Sequence, residues 1–428
     1  MASKRARHDA TDEEGEQNVH RKRDSDTCQC DIGKDTVFID IPTKIINGIN
    51  FALDALIKED CFLPSITLTP LKILMCNGAD KHEGFPFSKA YCSTDMYDTD
   101  YAFGTVFRKG INMLIDMFQR RTPGNRQHRF VLSRLLHYLS DMVNNDLESL
   151  EADNLTSLKE TQLSSVLVNH LFGKLSASSS FVIDKQCKGK EECRKNNKEN
   201  VPCPCGGEGC QLSGYYGDTS IGNELVWHGR VDTLVNNEVI VDTIVDDDDS
   251  SRSPGENSSV EEKMRSWSLI RSHQIIAETI VFSFLKKQRN REKDAFLFPC
   301  VAVSDQDMVI YFYDSFHDIL LESSKIPLHG VLTGPVTGSV NLIAVLVSWL
   351  VVNHKYLCDG VVEEMKTTRA GFFSQAGSKL RIYEKYIKLG DVGNASRVSH
   401  DATENVFRKR HIDPEMIERK QLIRTKDN

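Results

Sequence analysis

Glu224-Leu-Val-Trp-His-Gly229-Arg-Val-Asp232-Thr-Leu-Val235 alternates apolar and polar residues as a β-strand does, and Asn236-Asn237 follows with the residue type that tolerates a tight reversal. Glu238-Val-Ile-Val-Asp242-Thr-Ile244-Val245 then alternates again, which predicts a hairpin. Two adjacent antiparallel strands bring Asp232 and Asp242 close together, and paired carboxylates are what a hard divalent cation such as Mg²⁺ binds. Ile244, two residues further along the strand, shares the face of Asp242.

Downstream, Asp246 to Asp249 and a Ser-, Pro-, Gly- and Asn-containing run to Ser259 predict a disordered acidic loop over 246–259. Apolar residues at helical spacing from Val260 to Arg289 predict a long helix that carries Arg271 and Gln274 one turn apart on one face. Strands follow over Ala295–Val303 and Met308–Tyr313, joined by a turn at Ser304–Asp307. The most apolar run, Leu342 to Val352, falls short of the ~20 residues a membrane span needs. Pro335 interrupts any extension towards the N-terminus, so a buried core helix continuing to Tyr356 is expected and no membrane partner. Arg381–Leu389 reads as amphipathic.

Upstream, helical spacing over 44–57, 103–118, 130–150 and 157–175 predicts a mostly helical region from 36 to 183. Asp95, Asp98 and Asp100 within it read as a solvated acidic loop. Residues 184–215 form a Lys-, Asn- and Gly-rich insert with Cys187, Cys193, Cys203, Cys205 and Cys210, separated by five, nine, one and four residues. Five thiols in so short a span are candidate Zn²⁺ ligands, although no pair has the Cys-x-x-Cys spacing; a flexible loop of reduced thiols is the plainer reading.

Residues 1–35 and 396–428 are charged, poor in large apolar residues and without periodicity, which predicts loose tails around a core at 216–395. The opening residues lack the apolar segment of a secretory leader, and the chain has 12 cysteines, so reduced thiols and an intracellular protein are expected. Lys4-Arg5-Ala6-Arg7 and Arg21-Lys22-Arg23 resemble a bipartite nuclear-import signal. A formal net charge of −8, with 40% hydrophobic and 27% charged residues, fits a globular protein and excludes a surface that is basic throughout.

The order from Leu163 to Tyr356, with acids on a central hairpin, resembles the PD-(D/E)XK nuclease superfamily, and within it the RecB-like and lambda-exonuclease-like group. That group's pattern is Gly-x-x-Asp on one strand, (Asp/Glu)-x-Lys on the next and Gln-x-x-x-Tyr on the helix after. Gly229-Arg-Val-Asp232 matches fully; Asp242-Thr-Ile244 keeps the acid and loses the lysine; Gln274-Ile-Ile-Ala-Glu278 keeps the glutamine and loses the tyrosine. The resemblance implies an α+β fold with a restriction-endonuclease-like α-β-β-β-α-β core behind a mostly helical N-terminal region. It also implies catalytic Asp232, Asp242 and Gln274, with Asp232 and Asp242 holding Mg²⁺.

In such a site the lysine orients the attacking water and stabilises phosphate charge, and losing a positioned group of that kind costs ~10²-fold or more in rate. Three functions stay open on these residues. One is a catalytically silent nuclease-like module that binds DNA or RNA or acts as a scaffold. Another is an active Mg²⁺-dependent DNA nuclease in which Arg271, Lys263 or Arg265 replaces the lysine. The last is a non-enzymatic protein that binds protein partners through its acidic loop and tails. The plainest account of the acids is structural: Asp232 as a hairpin cap and Asp242 as a solvent-side strand residue.

Overall fold

Strands buried on both sides dominate the centre of this protein, which we describe from a computed structural model. The described residues are 42–58, 65–79, 83–143, 150–187, 201–244, 269–290, 297–330 and 340–392. Chain order begins with α1 (Thr43–Ile57), β1 (Thr67–Cys76), β2 (Cys92–Met96), β3 (Tyr101–Ala102), α2 (Arg108–Phe118), α3 (Arg126–Val143) and α4 (Ala152–Thr156). A single helical run follows: α5 (Glu160–Leu167), a π-helical turn (Val168–Phe172) and α6 (Gly173–Leu175). Then come β4 (Phe181–Asp184), β5 (Tyr215–Gly217), β6 (Ser220–Gly222), β7 (His228–Arg230), β8 (Thr233–Val235) and β9 (Val239–Thr243). The remainder is α7 (His273–Arg289), β10 (Leu297–Val303), β11 (Asp307–Asp314), β12 (Ile319–Ser323), β13 (Ile326–Pro327), α8 (Leu342–Val352), α9 (His354–Leu357), α10 (Phe372–Ala376), α11 (Leu380–Lys385) and β14 (Lys388–Leu389).

The main sheet runs β2-β1-β12-β11-β10-β9-β8-β4-β5, and a small second sheet runs β14-β6-β7. Its pairs are antiparallel except β9 with β10 and β4 with β5. Every residue of β10 is buried because helices cover both faces, which is why Leu297–Val303 is apolar throughout and does not alternate. Val239 and Val241 join the core that holds α1, α2, α3, α5 and α8, whereas Ile240 joins the core under α7. All eleven residues of α8 are buried, as the apolar run predicted, and among the described residues no helix is long and apolar enough to cross a membrane.

The protein is mixed α+β, and the segment read as mostly helical holds strands besides its helices. Residues 36–183 supply four strands, of which β1 pairs with β12 and lies next to the edge strand β2 of the main sheet. Pro70 lies within β1, and a proline in mid-run obscures a strand signal in sequence. The strand read over 224–235 is also divided. Trp227 is fully buried against Phe372 and Tyr383, β7 pairs with β6 in the small sheet, and β8 starts afresh in the main sheet. At Gly229 a Cβ would meet the Phe87 ring at 2.8 Å, so this motif glycine has a packing reason of its own.

The hairpin is observed, with one extra residue. Asn236 and Asn237 both have positive φ (54° and 53°), the combination of a type I′ turn, and Glu238 N–H donates to Val235 O at 2.9 Å. Val235 nevertheless opposes Val239, so Glu238 bulges out of the ladder. That shift puts Asp232 next in line opposite Asp242; a plain two-residue turn would have set it against Val241.

Candidate functional site

Asp232 and Asp242 are neighbours at the open end of the β8–β9 ladder, yet each serves a different partner. Asp232 N–H donates to Asp242 Oδ1 at 2.6 Å. In return Thr243 donates twice to Asp232 Oδ2, from its backbone N–H at 2.9 Å and its hydroxyl at 2.5 Å. The two aspartates thus stitch the strands where the regular ladder stops.

Asp242 lies under α7, hydrogen-bonded to the Glu278 carboxyl, and Gln274 Nε2 donates to the other side of Glu278 at 2.9 Å. Glu278 is fully buried, and Asp242 is 3% exposed. Burial, then the adjacent Asp232 charge, push the Asp242 carboxyl up to about 7; burial and then the Asp242 charge hold Glu278 well above the usual carboxylate range. Two buried carboxyls in contact cannot both ionise, so the pair keeps a proton at neutral pH. Burial also raises Asp232, against the lowering effect of the two Thr243 bonds, with Asp184 adding a smaller upward push.

Arg271 needs correcting. It precedes the helix in left-handed backbone (φ 56°), Ser272 caps α7, and so Arg271 does not share a helical face with Gln274. Its N–H donates to Glu322 Oε1 at 2.6 Å, which fixes it to β12. Among the described residues no lysine or arginine forms an ion pair with Asp232 or Asp242; Arg230 pairs instead with Asp184, at 3.1 Å, whose N–H donates to Asp232 O. Lys263, Arg265 and the acidic loop lie outside the described residues. Asp242 is not a solvent-side residue, and Asp232 bonds within the hairpin strands without capping its turn.

A second group forms where the cysteine insert meets the helix. His170, Cys203, Cys205 and Cys210 place one ligand atom each within 4.8 Å of one another, the arrangement of a metal-binding cluster. His170 Nε2 lies 3.3 Å from Cys203 Sγ and 3.5 Å from Cys210 Sγ. Gly206 and Gly209 take left-handed φ (74° and 73°) that let the chain fold Cys205 and Cys210 back on Cys203, and Cys203 N–H donates to Cys210 O at 3.0 Å. Next to His170, Asn169 Oδ1 accepts from Ser213 N–H at 3.0 Å, and its Nδ2 donates to Gln211 O at 3.1 Å.

Burial, then the Lys174 charge, hold the His170 imidazole down at about 4, so its neutral, ligating form prevails. Burial and the neighbouring thiols push Cys203 up to about 12, an order that a divalent cation reverses because thiolates are its ligands. Three of the five predicted cysteines are in this group; Cys193 and the side chain of Cys187 lie outside the described residues. Sequence reading missed His170, whose one signal is a polar Asn-His pair inside the otherwise apolar stretch Val166–Phe172.

A third feature is charge. Residues 117–140 hold five arginines and no acid, in a chain of net −8. Their exposed part, 119–128, links α2 to α3. Arg121 is tied to Asp116 at 2.6 Å, and Arg129 donates to Pro123 O and Gly124 O at 3.2 and 3.1 Å, which shapes the loop. Arg120 holds φ 56° at the end of α2, a conformation unusual for a residue other than glycine. No protein-family model, curated protein or solved structure matches this chain.

Proposed function

We propose that this chain is a nuclease-like protein whose phosphodiesterase site is silent, and that it acts as a nucleic-acid-binding or scaffolding module. Support comes first from element order: once β5, β6 and β7 are set aside as an insertion between β4 and β8, the succession α5, β4, β8, β9, α7, β10, with three antiparallel strands and a fourth parallel to β9, is the one the resemblance implies. The observation that carries the reading is Glu278. It stands where the pattern has tyrosine, is fully buried, and lies against the Asp242 carboxyl, so that Asp242 already has a protein partner on that side. Ile244 adds no charge to replace the lysine.

Purified protein incubated with single- and double-stranded DNA and RNA in Mg²⁺ or Mn²⁺ is expected to show the same background cleavage as Asp242→Asn. Cleavage by the wild type that the variant lacks would restore the active-nuclease reading. For the binding half, the arginine loop is the surface of choice, because guanidinium pairs well with phosphate. Replacing Arg120 and Arg126 by alanine is expected to lower the slope of log affinity against log salt by about 2 on double-stranded DNA. Fluorescence anisotropy over a salt series measures it, and an unchanged slope would remove the loop from the interface. Nuclear import through Lys4–Arg7 and Arg21–Arg23, which lie outside the described residues, belongs to the same proposal.

The metal assigned to this chain is Zn²⁺ at His170, Cys203, Cys205 and Cys210, in place of Mg²⁺ at the aspartates. A tetrahedral zinc with bonds of roughly 2.3 Å to sulfur and 2.0 Å to nitrogen has N–S edges of about 3.5 Å. The two recorded here are 3.3 and 3.5 Å.

A further inference from the structure

The thiol–imidazole group joins two parts of the chain that Asn169 also ties together, through Gln211 and Ser213. One is the π-helical turn Val168–Phe172, where Gly173 N–H donates to Val168 O, five residues back. The wider turn presents Asn169 and His170 to the insert, and a Cβ at Gly173 would meet that same carbonyl at 2.7 Å. The other is the loop 201–212, held internally by Leu212 N–H to Val201 O at 2.9 Å and a bridge between Pro202 and Gln211.

Apart from its cysteines, this loop has Val201 and Leu212 as its large apolar residues, too few for a core of its own. It leads directly into β5, the edge strand, which has a single neighbour in the main sheet: Val182, Ile183 and Asp184 of β4 pair with Tyr215, Tyr216 and Gly217. Whatever fixes the loop therefore also fixes this edge.

Resting on the zinc reading above, we infer that the ion is a closed structural clasp: it fastens loop 201–212 to the helix through His170 and thereby keeps β5 on the sheet. Four protein ligands fill a tetrahedron and leave no position for water or substrate, so the ion performs no catalysis. Binding releases three thiol protons and leaves a centre of net charge −1, which Lys174, one turn beyond His170, partly offsets.

The test uses the full chain. Elemental analysis is expected to find one zinc per molecule, and one equivalent of added Zn²⁺ is expected to be taken up after chelation. Removing zinc is expected to speed amide exchange over residues 201–217 about tenfold or more while β10 and β11 keep their protection, and re-addition restores it. His170→Ala and Cys205→Ser are expected to reproduce the metal-free pattern in the presence of zinc. Bound zinc with unchanged exchange at 201–217 after its removal would overturn the clasp and leave the zinc reading standing. No uptake of Zn²⁺ by the wild-type chain would overturn both. Loss of protection throughout the sheet would also defeat the clasp, by making zinc a requirement of the whole fold.

Discussion

Glu278→Gln is expected to stabilise the protein at pH 8 and to have little effect near pH 4. The Asp242–Glu278 pair retains a proton in the folded state that the unfolded chain releases above a pH of about 4. A group whose folded pKa is raised contributes stability that is complete below the unfolded value and is lost as pH rises through the folded one, here about 7 for Asp242. The wild type therefore weakens steadily between these values. In the variant the amide nitrogen donates to an ionised Asp242 and the amide oxygen still accepts from Gln274, so no proton is required. The difference at pH 8 is on the order of 2–4 kcal/mol, several degrees of melting temperature. Thermal melts of both proteins at three pH values decide it: curves that stay parallel would mean the pair carries no trapped proton.

Asp232→Ala is expected to cost ~1–3 kcal/mol, because it strips the buried Thr243 N–H of its acceptor and leaves the hydroxyl only the more distant Glu160 O at 3.3 Å. Asp232→Asn keeps one acceptor oxygen and is expected to cost about half as much. It also removes the charge that helps hold Asp242 up, so its stability should decline later as pH rises. Urea unfolding measures both, and a loss for the alanine variant below ~0.5 kcal/mol would show that the motif aspartate is not a structural stitch.

How the motif residues were read shows which signals are local. Gly229, Asp232, Asp242 and Gln274 were visible as a pattern, and Glu278 was visible as a departure from it. That Glu278 is the group touching Asp242 was not, because nothing in a helical spacing states how deep a face is buried or what lies beneath it. Arg271 was misplaced for a related reason: periodicity runs smoothly through it, but the cap at Ser272 and the bond to Glu322 start the helix two residues later. His170 escaped notice since its partners are 33 to 40 residues away in sequence.

Sequence alone determined what depends on neighbours a few residues apart: the Asn236-Asn237 reversal, the buried helix Leu342–Val352 and the hairpin β10–β11. These follow from backbone preference and the period of apolar side chains. Tertiary structure decided the rest. It paired β1 with β12, more than 240 residues away in sequence, inserted Glu238 into the ladder so that Asp232 meets Asp242, and sealed Asp242 beneath α7. Register, depth and charge state are set by contacts between segments far apart in the chain, and those energies are not written in any one segment.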